Sequence, residues 1–142
     1  MSDFPPIESL LPHGEAIRQL DRLVAWTPGR AECAMRVVEG SRLVADGELE
    51  SVLLLEPMAQ AVAACLGYEA FRAGEGVRIG MIVACRALRV FVPRIPVGAE
   101  LRVRVVRVRS NDATSHFECE VLRDAEPIAT ATLTLVHPNV AR

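Results

Sequence analysis

The chain has 142 residues, of which 51% are hydrophobic and 24% charged, and its formal net charge is −2. These values are ordinary for a soluble globular domain and give no general attraction to nucleic acid. All of the basic residues are arginine, which we attribute first to a genomic codon bias. We expect a single domain over 1–142, because this length suffices to bury a core.

The cysteines are widely spaced within apolar runs and match no paired metal or redox pattern. We expect each thiol to be a small buried group in a reducing compartment. The first residues lack the basic and apolar segments of a signal peptide, and the central apolar stretch is too short to span a bilayer. We therefore predict a cytoplasmic protein. The cysteines are Cys33, Cys65, Cys85 and Cys119.

The first part of the chain is predicted to hold a short helical turn and two strands. The turn covers 7–11, and the strands cover 20–26 and 31–38, with turn residues at 27–30 between them. Residues 39–50 are polar and contain glycine, which predicts a loop that lies over another element.

The stretch Val52 to Ala73 predicts one long helix that is apolar on nearly every side, and such a helix must be buried. Glu56 lies at its start, followed by Pro57 in a position that suits a first-turn proline. Gln60 lies one turn further on. Charged and amide groups in so apolar a helix are costly unless they are paired or employed.

The second half of the chain alternates with a period of two and predicts further strands over 77–92, 101–109, 116–122 and 128–136. The doublet Val105-Val106 interrupts the alternation and predicts a bulge there. A curved antiparallel sheet around one apolar helix gives an α+β domain. Its open edge favours a dimer through edge strands.

Three segments resemble the bacterial 3-hydroxyacyl-ACP dehydratases. Leu10-Leu11-Pro12-His13 with Leu20-Asp21-Arg22 resembles their "LPH…LLVDR" opening, and Val52 to Gln60 (VLLLEPMAQ) resembles their "VLILEAMAQ" helix start. Phe91 to Leu101 resembles their "F..PV.PGDQL" strand and turn. The similarity is greatest to the dehydratase-like proteins of aryl-polyene and related polyketide-type clusters. This resemblance implies a hotdog fold with the acyl channel at a subunit interface.

One feature of that family is missing. The fatty-acid enzymes carry a catalytic histidine in an HFPG segment shortly before the helix glutamate. The corresponding region here, Arg42 to Gly47, contains no histidine. The chain has only His13, His116 and His137.

Dehydration of a 3-hydroxyacyl thioester needs a base for a C2 proton, an acid for the departing hydroxyl and a donor for the carbonyl oxygen. Burial would raise the pKa of Glu56 and make it the acid, although the helix N-terminus opposes this. Its alternative role is to cap or salt-bridge the helix. His13 is the proposed base, with a turn-stabilising or channel-lining role equally open.

Substrate contacts are expected from the same helix start. The resemblance implies that Pro57 and Met58 contact the substrate. Gln60 would orient Glu56 or a water, or bind the thioester. Its alternative role is a buried amide that hydrogen-bonds to the backbone.

Other polar residues have less specific interpretations. We expect His116 on the outer sheet face, His137 in an uninvolved tail, and Asp46 in a turn. Arg102, Arg104, Arg107 and Arg109 are expected on a solvated sheet face, with docking of an acidic carrier or a CoA phosphate as the alternative.

The favoured function is therefore dehydration of 3-hydroxyacyl thioesters on acyl-carrier protein, in fatty-acid or polyene/polyketide-type biosynthesis. A hotdog thioesterase, with Glu56 or Asp46 activating water, is one alternative. A catalytically silent acyl-binding subunit is the other. Expected partners are the carrier protein and a second hotdog chain, identical or paralogous, with no nucleic acid and no membrane. No metal or organic cofactor is expected beyond the phosphopantetheine that carries the substrate.

Overall fold

The computed structural model describes residues 4–11, 18–75 and 81–136. The helix α1 spans Leu55–Arg72, and 3-10 turns span Ile7–Ser9 and Ser51–Leu54. The strands are β1 (Arg22–Thr27), β2 (Arg30–Arg36), β3 (Val44–Ala45), β4 (Glu48–Glu50), β5 (Met81–Val90), β6 (Arg94–Pro96), β7 (Glu100–Ser110), β8 (Thr114–Arg123) and β9 (Glu126–Val136).

Six of the strands form one antiparallel sheet in the order β1-β2-β7-β8-β9-β5. Helix α1 packs against the middle of this sheet, on β2, β7 and β8. The inward residues of these strands and most of α1 are buried in one hydrophobic cluster. This arrangement confirms the predicted α+β architecture, and it is the hotdog fold that the resemblance implies.

The prediction that the central apolar stretch is too short to span a bilayer is wrong, because Ser51–Arg72 forms a helix that is long and apolar enough, by length and composition alone, to cross a membrane. Most of it is buried inside the protein, where the sheet covers it. Packing in a core therefore accounts for its apolar composition.

The predicted loop over 39–50 is wrong in part, because it contains β3 and β4. These pair with each other and with β6 in a second, three-stranded sheet. Leu43 and Leu49 are buried, whereas the charged residues beside them, Arg42, Glu48 and Glu50, are exposed. Strands of two and three residues are too short for their alternation to stand out in a sequence.

The predicted bulge at Val105-Val106 is also wrong. Val105 points into the core and Val106 points outward in unbroken register, and the shift comes later, between Arg107 and Arg109. Arg107 therefore turns toward α1, where its Nη2 donates a hydrogen bond to Glu69 at 2.9 Å. This arginine does not belong to the solvated face that the alternation predicts for it.

The segment before β1 lies directly on α1 at Gly67. A Cβ atom built on Gly67 would overlap the carbonyl oxygen of Leu10, and it would lie 3.1 Å from the Leu10 carbonyl carbon. Only a residue without a side chain allows this approach, so Gly67 sets how closely Leu10 and the residues around it sit on the helix.

We predict that Gly67→Ala lowers the free energy of unfolding by about 1–3 kcal/mol, because backbone must move to admit the methyl group. Thermal and urea denaturation measure this change. Helix propensity alone would act in the opposite direction, by about 1 kcal/mol in favour of alanine. An increase in stability would therefore show that the close approach to Leu10 is incorrect, and Ala63→Gly in the same helix calibrates the propensity effect.

Candidate active site

The start of α1 carries an ion-paired carboxylate. Glu56 lies in the first helical turn, directly after the 3-10 turn Ser51–Leu54. Its side chain is 38% exposed, and Oε1 accepts a hydrogen bond at 3.0 Å from Nη2 of Arg42, which is 47% exposed. The pair is thus open to solvent on the surface of the single chain.

The sequence predicts that burial outweighs the helix N-terminus at Glu56 if the site is dry, and in the single chain the Glu56 side chain is 38% exposed. Pro57 and Met58 turn into the core, whereas Glu56 lies on the side of the first turn that the sheet leaves uncovered. The salt bridge that stood as the alternative is present. The predicted role of Glu56 as the acid stays a prediction.

The segment that presents Arg42 is fixed on both sides. Ser41 donates its hydroxyl hydrogen to Oε1 of Gln19 at 3.0 Å, and Ser41 Oγ accepts the Leu43 N–H at 3.2 Å. The N–H of Val44 donates to the Ser41 carbonyl at 3.0 Å. Since Leu43 is also buried in the core, the backbone at Arg42 is held in place from two directions.

Gln60 lies one turn beyond Glu56 and is completely buried. Its Oε1 accepts the backbone N–H of Gln19 at 2.6 Å. The amide is thus bonded to backbone, as one of its two interpretations from the sequence predicts, and the bond ties the segment before β1 to the helix. Its predicted contact with substrate remains a prediction.

Pro57 and Met58 are core residues. Met58 has no exposed surface, and Pro57 is buried beside it. A substrate would reach either side chain only through the interior between α1 and the sheet. Their assignment as substrate-binding residues therefore requires an acyl chain that enters the core.

Two of the three histidines, His13 and His137, lie outside the described residues. His116 lies on the outer face of β8, where its Nδ1 is 2.9 Å from the hydroxyl of Thr134 on β9. This position agrees with the predicted surface role. The proposed pairing of His13 with Glu56 stays a prediction.

The outer sheet face is less basic than the arginine pattern indicates. Arg104 pairs with Glu32 at 2.6 Å and Glu120 at 3.7 Å, and Arg102 pairs with Glu32 at 3.3 Å. These carboxylates offset much of the positive charge of Arg102 and Arg104. Asp46 has a φ of 54° in the turn between β3 and β4, which supports its turn role.

Three of the cysteines are buried, as predicted. Burial raises the pKa of the Cys33 and Cys65 thiols to about 12, and it raises the pKa of Cys119 as well. Such thiols are inert because the reactive thiolate is suppressed. Cys85 is exposed on β5, so its predicted burial is wrong: among the strands that the structure describes, β5 pairs with β9 alone and forms an edge of the sheet.

Exposed apolar side chains gather near the start of α1. The 3-10 turn before the helix contacts β5, and the Ser51 N–H donates to the Pro93 carbonyl just beyond that strand. We call the exposed apolar residues of this region the β5 margin; they are Val52, Leu53, Leu88, Val90 and Phe91. It lies beside the helix turn that carries Glu56.

Sequence reasoning missed Arg42. The segment from Arg42 to Gly47 drew attention only because it lacks a histidine. The sequence did contain a clue to this residue. Arg42 is a positively charged side chain in the region where the resemblance places the partner of the helix glutamate.

A family model described as ApeP-like, ApeP dehydratase, matches residues 5–142 of this chain. Among curated proteins, the 3-hydroxyacyl-[acyl-carrier-protein] dehydratase FabZ of Latilactobacillus sakei subsp. sakei (strain 23K) is 28% identical over 143 residues. That match covers 96% of this chain and 99% of the relative.

Solved structures show the same fold at lower identity. The dehydratase heterocomplex ApeI:P from Xenorhabdus doucetiae matches with a TM-score of 0.90 and 24% identity, over 96% of this chain and 93% of that one. A mutant of the phenylacetic acid degradation protein PaaI from Thermus thermophilus matches with a TM-score of 0.63 and 22% identity. That match covers 82% of this chain and 92% of the other.

The sheet-wrapped helix, the glutamate in its first turn and the match over almost the whole sequence lead to one conclusion: this chain belongs to the ApeP-like dehydratase family.

Proposed function

We propose that this protein acts in the dehydration of 3-hydroxyacyl thioesters on acyl-carrier protein, in polyene or fatty-acid type biosynthesis. Membership of the dehydratase family and the 28% identity to FabZ support this function. The observation that carries it is the position of Glu56, an accessible carboxylate at the N-terminus of the buried helix beside the apolar β5 margin.

Because Glu56 accepts a hydrogen bond from Arg42, our proposal exchanges the proton roles that the sequence predicts. Glu56 takes a proton from C2, and His13 donates a proton to the C3 hydroxyl, which leaves as water. The C2–C3 double bond forms from the electron pair that held the C2 proton.

A second hotdog subunit, identical or paralogous, is proposed to cover the β5 margin. Among the described strands, β5 is an edge of the six-stranded sheet, and an edge strand can pair with a strand of another chain. A partner there would cover Leu88, Val90 and Phe91 and would shield Glu56 from water. The solved ApeI:P relative is itself a heterocomplex.

The silent-subunit function is the second candidate, because Arg42 stands in the region where the resemblance places a catalytic histidine. Arginine stays protonated in proteins and does not act as a general base. In that case the partner would supply the chemistry, and this chain would supply an acyl-binding surface. The thioesterase alternative gains no support from Asp46, which is a turn residue.

We predict that Glu56→Gln lowers the rate of water loss from 3-hydroxyacyl-ACP by at least about 10²-fold, since a general acid–base group contributes roughly 10²–10⁴-fold. Mass spectrometry of the acyl carrier measures the loss of one water. The assay uses the purified chain alone and the chain co-expressed with a second hotdog subunit, and His13→Asn is measured in parallel.

The control is Glu118→Gln, an exposed glutamate on the outer face of β8. It should keep full activity. Wild-type turnover that survives Glu56→Gln would remove Glu56 from the mechanism. Release of free acid would identify a thioesterase, and no reaction by the wild type with or without its partner would favour the silent subunit.

We predict that Leu88→Glu with Phe91→Ser separates the assembly into single chains, because it places a charge on the β5 margin and removes an aromatic anchor. Loss of a central aromatic anchor costs about 2 kcal/mol or more in many interfaces. Size-exclusion chromatography with light scattering measures the oligomeric state.

The matched control for the assembly is Val108→Glu, at a valine that is 49% exposed on β7, in the interior of the same sheet. The double variant should keep its fold by circular dichroism. An unchanged oligomeric state would show that the subunits meet elsewhere.

A further inference from the structure

We infer that Arg42 is a catalytic residue of this site: its guanidinium holds Glu56 and, through its remaining N–H groups, binds the thioester carbonyl oxygen as negative charge develops there. This inference rests on the proposed function, to which it adds the group that stabilises the enolate.

The geometry leaves N–H groups of Arg42 available to bind the thioester carbonyl oxygen. Arginine carries five N–H donors in a planar fork. One of them bonds Glu56 at 3.0 Å, and no other hydrogen bond from this guanidinium is found among residues 4–11, 18–75 and 81–136. With 47% of its side chain exposed, it can approach a ligand that also reaches Glu56.

A chain of hydrogen bonds fixes Arg42 relative to Glu56. It starts at Gln60 in α1, whose Oε1 binds the N–H of Gln19, and it continues from the Gln19 side chain to the hydroxyl of Ser41. Ser41 precedes Arg42, which returns to α1 through Glu56. This series of hydrogen bonds therefore begins at Gln60 and ends at Glu56, which are one turn apart on α1.

The hydrogen bonds that lead from Gln60 to Ser41 are partly shielded from solvent. Gln60 is fully buried, and the bonds to Gln19 and Ser41 are partly buried. By comparison, the pair of Arg36 and Glu100 has a shorter N–O distance of 2.6 Å but side chains that are 58% and 74% exposed. The Arg42 pair is less exposed than that pair, at 47% and 38%, and it is tied to the first turns of α1. A donor positioned in advance needs no reorganisation when charge appears.

The reaction step balances with the groups on this chain. Glu56 takes the C2 proton, and the C–H electron pair moves to the thioester carbonyl, which becomes an enolate with its oxygen facing Arg42. The enolate electrons then form the C2–C3 double bond, and the C3–O bond breaks. The hydroxyl leaves as water with a proton from a general acid, which is His13 in the proposed function.

The test measures two reactions of the co-expressed assembly. One is water loss from 3-hydroxyacyl-ACP. The other is exchange of the C2 hydrogens of a saturated acyl-ACP in heavy water, which reports enolate formation without any leaving group. Both are followed by mass spectrometry for Arg42→Gln, Arg42→Lys and Ser41→Ala.

We expect Arg42→Gln to lower kcat and the exchange rate by about 10²–10³-fold, the typical effect of losing one oxyanion donor, with KM and thermal stability little changed. Arg42→Lys should recover part of the loss, since a point charge replaces the fork. Ser41→Ala should lower kcat about tenfold by freeing the backbone at Arg42.

The controls are Arg36→Gln, which breaks the more exposed pair with Glu100, and Ser9→Ala, which removes a surface hydroxyl bonded to Pro6. Both should match the wild type. Exchange that depends on Arg42 without any water loss would support the inference and overturn the proposed dehydration. Wild-type kcat and exchange in Arg42→Gln would overturn the inference alone, as would a loss that Arg42→Lys does not recover at all.

Discussion

The need to bury α1 organises this molecule. The helix is apolar on nearly every side, so the sheet must curve over it, and β2, β7 and β8 supply that cover. The first turn emerges beyond this cover, with Pro57 and Met58 turned inward and Glu56 turned out. The helix thus serves the core along most of its length and leaves one carboxylate available for chemistry.

The amide of Gln60 shows how a polar group is kept in such a helix. A buried amide without partners would destabilise the fold, and Gln60 avoids this by accepting the N–H of Gln19. The same bond anchors the segment that continues through Ser41 to Arg42. The hydrogen bond between Gln60 and Gln19 therefore stabilises the core and also begins the series of hydrogen bonds that places the Arg42 guanidinium beside Glu56.

The arginines of the chain have different roles in spite of their identical chemistry. Arg102 and Arg104 pair with Glu32 and Glu120 on the outer face, and these carboxylates offset the charge of the two arginines. Arg107 faces Glu69 of α1 and helps to hold the sheet on the helix. Arg42 alone among these lies beside the carboxylate in the first turn of α1, within a segment held by partly buried hydrogen bonds.

The sequence by itself determined the α+β class, the long helix and most strands of the main sheet, because hydrophobic period reports directly which side of an element is buried. It also identified Glu56 and Gln60 as polar groups that need partners. Tertiary structure decided those partners: Arg42 is 14 residues from Glu56, and Gln19 is 41 residues from Gln60. Such pairs form only when separate segments close on each other, and local periodicity carries no information about that closure.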